Sequence, residues 1–278
     1  AARLALTLFI VALATFLLTN LLPGDPARTL LGLYATPEGI AVLREQLRLD
    51  DPLWLRFGDW LLHAVQGDLG VSDINGRVVA SSLLERLPLS IGLMLYAQVI
   101  ALVIAIPVGI VSGYKQDKWI DRLLSSAMFG SMALPSFVLA VVLVYVFALQ
   151  LRWFPATGYV PIEVDPLRSL YSLFLPALTL GMSQVGLYAR VLRSDLITTL
   201  QEDFILTARS KGLSNRAILL GHAFKPSSLS LVTIAGLNVA QLIGGALIIE
   251  TIFVLPGIGS LLVGSINGRD YAMVQGGV

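Results

Sequence analysis

The sequence predicts an all-α protein, a polytopic bundle of membrane-spanning helices, from its shortage of charge and from five long apolar stretches. Hydrophobic residues make up 56% of the 278 positions, charged residues only 13%, and mean hydropathy is +0.80. Soluble domains carry about 25% charged residues. A soluble core of this size would still need a charged shell, whereas a bundle facing acyl chains needs charge only in its loops. Net charge of +1 leaves no basic surplus for a nucleic acid. With no cysteine, disulfides, thiolate metal sites and Cys nucleophiles are excluded.

The first stretch, Leu4 to Leu22, follows Arg3 and approaches the roughly 20 apolar residues that a helical span needs. Thr19, Asn20 and Pro23 do not form a small-residue cleavage site, so it reads as a retained helix. Because the chain opens on Ala1, it is expected to start inside a longer one.

Residues 23–87 are too long for a simple connector and carry helix punctuation. Thr36 can cap a helix that begins at Pro37 and runs to about Leu49, and Asp50 or Asp51 can cap another from Pro52. In the second helix Leu53, Phe57, Trp60, Leu61 and Ala64 share one face, and Gly67 is its stop. That face packs on the mouth of the bundle or docks an external partner.

Four more spans follow: Pro88 to Tyr114, Leu123 to Leu151, Leu173 to Val191 and Leu229 to Phe253. Kinks are expected at Pro107, Pro135 and Pro176, which a membrane bundle tolerates by re-satisfying the freed carbonyls. Placing Arg3 inside makes the Lys115 to Arg122 and Arg190 to Lys225 connections cytoplasmic, and basic residues outnumber acids there. Residues 23–87 are then periplasmic. The chain reads as one transmembrane domain over 1–278, with an expected sixth helix beyond residue 278 to return it to the cytoplasm.

Residues 193–227 form a cytoplasmic connection much longer than a tight loop requires. Its core reads Asp203-Phe-Ile-Leu-Thr-Ala-Arg-Ser-Lys-Gly-Leu-Ser214. A helix to Lys211, a stop at Gly212 and a new start capped by Ser214 predict two short helices set at an angle. Such an elbow can pass a push from a soluble partner into the helices on either side.

At these residues the chain resembles the integral membrane subunits of ABC importers, whose cytoplasmic EAA loop has an Ala and a Gly at this spacing. Ala208 and Gly212 match that pattern; Leu206 and Thr207 depart from its general form. The run Thr-Ala-Arg-Ser-Lys-Gly-Leu-Ser is similar to the oligopeptide, dipeptide and nickel branch. Other fragments in the same order are similar to that branch too: Leu22-Pro-Gly-Asp-Pro26, Leu49-Asp-Asp-Pro-Leu-Trp54, Gly67-Asp-Leu-Gly70, Leu175-Pro-Ala-Leu-Thr-Leu180, Gly245 to Phe253 with Pro256 and Gly257, and Arg269-Asp270-Tyr271.

The resemblance implies a permease of the bacterial inner membrane that pairs with a second, homologous or identical, permease. Two cytoplasmic ABC ATPase subunits and an external substrate-binding protein, periplasmic or lipid-anchored, complete the importer. ATP and Mg would be bound by the ATPases, because this chain has no Gly-x-x-x-x-Gly-Lys-Ser/Thr phosphate loop, no nucleotide site and no cofactor of its own. The resemblance implies that the chain is not itself an enzyme. Coupling to the ATPases would fall to Asp203, Ala208, Arg209, Lys211, Gly212, Leu213 and Ser214. Arg209, Lys211 and Arg216 either meet an acidic groove on the ATPase or simply follow the positive-inside pattern. Peptides are the expected substrate, with nickel chelates, glutathione or another small solute as alternatives.

Gln98, Gln184, Asn238 and Gln241 lie in or near spans and should face inward, as interhelical hydrogen-bond partners or as substrate contacts. Glu250 is placed at a periplasmic gate, snorkelling toward water, or paired with Arg269. Gly244 and Gly245 should permit close helix packing. His63 and His222 fall on opposite sides of the membrane and cannot share a metal. An intramembrane hydrolase would need a nucleophile and a base at one depth, and neither His lies in a span. A secondary transporter would show coupling acids or inverted repeats, and would have no use for the elbow.

Overall fold

The computed structural model describes every residue except 1, 22–25, 32–34, 47 and 73. All but the last residue of the Leu22-Pro-Gly-Asp-Pro26 fragment therefore lies outside the described residues. Among the described residues the named elements are all helices: α1 (Ala2–Leu21), α2 (Pro26–Leu31), α3 (Pro37–Gln46), α4 (Leu53–Val65), α5 (Val79–Tyr114), α6 (Trp119–Ala133) and α7 (Ser136–Leu143), which runs into a π-helical turn at Val144–Gln150. There follow α8 (Pro166–Thr199), α9 (Asp203–Ser210), α10 (Asn215–Ala217), a π-helical stretch at Ile218–Ala223, α11 (Phe224–Ile252), α12 (Ile258–Gly268) and α13 (Tyr271–Gly277). Among the described residues four helical runs are long and apolar enough to cross a membrane: Ala2–Leu21, Val79–Tyr114, Pro166–Thr199 and Asn215–Ile252. The pair Trp119–Ala133 and Ser136–Gln150 makes a fifth only if its two bent halves are counted as one span, the other arrangement being a re-entrant loop.

That pair bears out the kink expected at Pro135 and sharpens it: the halves of the Leu123 to Leu151 stretch meet at 103°. The cause is local. Leu134, ahead of a proline, is driven to extended backbone (φ −83°, ψ 122°), and Pro135 continues it (φ −60°, ψ 138°). At Pro107 and Pro176, where kinks were also expected, α5 and α8 run on without interruption.

The chain divides into two compact units, residues 1–88 with 260–278, and residues 89–259. In the first, α4 packs on α1 through the face predicted for it: the Phe57 ring lies 5.3 Å from Phe16 and 5.7 Å from Phe9, and Arg56 Nη1 donates to Asn20 Oδ1 (3.0 Å). Leu53, expected on that face, is exposed. Gly67, at φ +88°, ends α4 as predicted. Asp50 and Asp51 do not cap α4, whose N-cap is Pro52. They are drawn away by cations, Asp50 to Arg44 (2.5 Å) and Asp51 to Arg48 (2.7 Å). The Arg44 hydrogen bond holds the Asp50 carboxyl below its usual range.

Thr36 does cap α3, its Oγ1 accepting from Gly39 N–H at 3.1 Å. Thr36→Ala should therefore cost about 1 kcal/mol of local helix stability. Hydrogen exchange would read this as faster exchange confined to the amides of α3; unchanged protection there would refute the cap.

In the second unit α8 is the element on which the others pack. A Cβ on Gly181 would lie 2.7 Å from Ala97 O, and one on Gly109 2.9 Å from Ala189 O, so the α5 and α8 backbones nearly touch. Residue numbers rise together along that contact, which makes the two helices parallel. A Cβ on Gly186 would collide with Met128 O, and Arg193 meets Asp121, so α6 runs antiparallel to α8. Thr199 meets Ser227, Gln184 meets Asn238, and Leu180 meets Gly245, so α11 is antiparallel too. Small residues at such crossings let dispersion and interhelical hydrogen bonds hold a bundle in a solvent as apolar as its own side chains. Gly245 serves close packing as predicted, whereas a Cβ on Gly244 would meet open space.

Candidate functional site

The elbow hangs from the end of α8. Ile205 and Ala208, one turn apart on α9, are buried in a cluster with Leu196, Ile218 and Ala223, while Asp203, Arg209, Lys211 and Ser214 are exposed. The exposed surface also carries Phe204, Leu206, Leu213 and Leu220. Ala208, expected at the coupling surface, thus faces the bundle, where a small side chain lets α9 approach α8.

The turn after α9 closes as a Schellman motif. Leu213 N–H donates to Ala208 O (3.3 Å) and Gly212 N–H to Arg209 O (2.9 Å), with Gly212 in the left-handed region at φ +79°. Ser214 caps the next helix as predicted, its Oγ accepting from Ala217 N–H at 3.3 Å. The second short helix expected there is instead the first turn of the run Asn215–Ile252, unbroken into the membrane-length α11. Pro226 leaves the carbonyl one turn before it without a donor, and the π-helical stretch immediately upstream absorbs this without a break. The elbow therefore has one free-standing helix and one rigidly continuous with a span.

Three of the four polar residues predicted to face inward do so. Asn238 Nδ2 donates to Gln184 Oε1 (3.1 Å), Tyr188 donates to Gln98 Oε1 (3.0 Å), and Gln98 Nε2 reaches Ala235 O (3.4 Å). These bonds tie α8 to α11 and α5 near mid-helix. Gln241 stands on the exposed face of α11 of this chain, outside that packing.

Glu250 is not at a wet rim. It is 0% exposed, and the Ser90 hydroxyl donates to its Oε1 at 2.6 Å while accepting from Ile258 N–H at 2.9 Å. The carboxyl group is thereby fixed, through Ser90, to the amino end of α12. Gly257 and Gly259 roof it: a Cβ on Gly257 would fall on the carboxyl group itself, and one on Gly259 would lie 2.9 Å from Oε2. Val254, a β-branched residue at φ +54°, turns the chain between Glu250 and Gly257.

Sequence reasoning missed the pairing of Asp121 with Arg193. Arg193 grips the Asp121 carboxylate with Nε and Nη2, both at 2.7 Å, while Ser112 Oγ (2.5 Å) and Asp117 N–H (2.9 Å) also donate to it. In the sequence Arg193 contributes only to the positive-inside pattern. The usable signal was an acid and a base flanking two spans whose ends had been assigned to one side. By the helix directions above, this cluster and the elbow share one end of the unit, and Glu250 with Ser90 occupies the other.

Comparison with known proteins agrees with this architecture. Residues 105–278 match the model of the binding-protein-dependent transport system inner membrane component, and residues 2–94 match the N-terminal model of such membrane components. A protein of Brucella abortus (strain 2308), provisionally named a peptide transport system permease protein, is 43% identical over 269 residues, covering 97% of this chain and 86% of that one. The glutathione transport system permease protein GsiC of Escherichia coli (strain K12) is 36% identical over 269 residues, covering 97% and 85%.

Proposed function

This chain belongs to the binding-protein-dependent transport system inner membrane component family, the permease subunits of ABC importers in the bacterial inner membrane, and on that premise we propose that it forms half of a translocation pathway for peptides. The observation that carries the peptide reading is the 43% identity, over nearly the whole chain, to a protein provisionally named for peptide transport. Glutathione, itself a tripeptide, is the second reading, favoured by the 36% identity to GsiC.

The other half of the pathway is a second permease, homologous or identical. Two cytoplasmic ATPases supply the nucleotide chemistry with their own ATP and Mg, and an external binding protein delivers the solute. The α9 elbow is the seat for one ATPase: its exposed Phe204, Leu206 and Leu213 offer apolar contacts, and Arg209, Lys211 and Arg216 offer charge. Closure of the ATPases displaces α9, and Ile205 and Ala208, buried against Leu196, hand that displacement to α8. A solute that reaches the pathway then finds access switched from one face of the membrane to the other. Gln241, exposed on α11, is a candidate for lining that pathway, whereas Gln98, Gln184 and Asn238 are occupied in holding helices together.

The test is purification of the tagged chain with its neighbouring gene products, followed by uptake into proteoliposomes. ATP-dependent accumulation of a labelled oligopeptide is expected, at a rate above that of labelled glutathione. A chain that co-purifies with no ATPase and moves solute on an ion gradient would overturn the proposal, and glutathione uptake alone would select the second reading.

A further inference from the structure

The Asp121 cluster assigns a role that the elbow alone does not fill. Its carboxylate is almost fully buried and accepts from four separate pieces of the fold. Ser112 lies in the last turns of α5. Asp117 belongs to the turn between α5 and α6, held in the left-handed region at φ +64°, a conformation uncommon outside glycine. Ser125 is one turn along α6 itself, its Oγ at 3.3 Å. Arg193 stands on α8, less than two turns before that helix ends at Thr199 and the chain enters α9.

The contact with Arg193 is two-pronged, Nε to Oδ1 and Nη2 to Oδ2. A guanidinium gripping a carboxylate by two parallel bonds fixes rotation as well as distance, which a lysine ammonium does not. The neighbouring crossings are backbone-close, Gly113 of α5 against the Arg193 carbonyl and Leu196, and Gly186 of α8 against Met128. With the two-pronged bond in place, the foot of α8 cannot turn or slide without taking α6 and the end of α5 along. Without it, the contacts of α8 with α5 and α6 there are close crossings at Gly113 and Gly186, which set spacing but leave rotation free.

We propose that the Asp121–Arg193 pair is the joint through which movement of the elbow reaches α5 and α6, so that both residues are positioning residues for ATP-driven transport. This rests on the reading of the chain as an ATPase-coupled permease. The pair touches neither solute nor nucleotide; it converts displacement of one helix into displacement of three.

The test uses the complete importer, permeases with ATPases and binding protein, in proteoliposomes, and reads solute moved per ATP hydrolysed. Arg193→Lys and Asp121→Asn should each lower that ratio about tenfold while hydrolysis continues. Exchanging the charges, with Asp121→Arg and Arg193→Asp together, should recover part of it. A purely structural role would change the yield of assembled complex and leave the ratio of the surviving complex alone. The joint is overturned if both single variants keep the ratio within about twofold of the parent, or if they lose assembly and the exchanged pair does not restore it. If the parent importer itself hydrolyses ATP and moves no solute, it is the underlying functional reading that fails, and the parent arm shows this before any variant is compared.

Discussion

Gly212→Asp should reduce ATP-driven uptake by about a hundredfold while the chain still inserts and assembles. The residue sits at φ +79° with no atom within 4 Å of the position a Cβ would take. The chain therefore has room for a side chain, and the intrinsic cost is backbone strain of about 1–2 kcal/mol for an L residue in the left-handed region. That cost loosens one turn and does not unfold a bundle. The larger effect lies outside the chain: the added carboxylate projects from the elbow among the exposed Arg209, Lys211 and Arg216 and alters the surface proposed to seat the ATPase. Asn adopts the left-handed conformation more readily than most residues, so Gly212→Asn separates strain from charge and should keep a substantial part of the uptake. Uptake in proteoliposomes, measured beside ATP hydrolysis, decides the matter. Normal transport by Gly212→Asp would remove the elbow from the coupling path.

Glu250→Ala should destabilise the protein by about 3 kcal/mol, seen as a clear drop in its thermal unfolding midpoint in detergent. The substitution takes away the acceptor for the buried Ser90 hydroxyl and opens a void under Gly257 and Gly259. Glu250→Gln keeps an acceptor oxygen and nearly the same volume, so its loss should be smaller. Gly257→Ala attacks the same contact from the other side, because its methyl group would occupy the space of the carboxyl. Combined with Glu250→Ala it should cost less than the two separate losses together, the mark of residues that share one interaction. An alanine variant that unfolds with the parent would show that Glu250 does not hold this turn.

Much of this architecture was legible in the sequence because membrane crossing imposes its own arithmetic. The apolar stretches located the four continuous spans and the bent pair at Pro135, and local punctuation placed Thr36, Gly67, Gly212 and Ser214 in their turns. What escaped was set by contacts distant in sequence. Asp121 and Arg193 are brought together only by the antiparallel pairing of α6 with α8, and nothing near either residue announces the other. The burial of Glu250 depends on Ser90 and on the chain doubling back at Gly257. Asp50 and Asp51 look like caps until Arg44 and Arg48 compete for them. Pro135 breaks its helix while Pro107 and Pro176 do not, a difference that local sequence does not encode because neighbouring helices decide whether a freed carbonyl is tolerated.

The π-helical stretch at Ile218–Ala223 carries a consequence for how the elbow is aimed. A π-bulge accommodates one surplus residue within an α-helix, and each residue of an α-helix turns the chain by about 100°. Everything upstream of the bulge, Ser214 and the α9 turn included, is thus rotated about the helix axis relative to where an uninterrupted run would put it, while Ser227, Asn238 and Glu250 keep their own facing. The heading of the lever is a matter of phase, written as a count of amino acids, and a relative with one residue fewer in this stretch would point its lever along a different compass bearing with every crossing helix left in place.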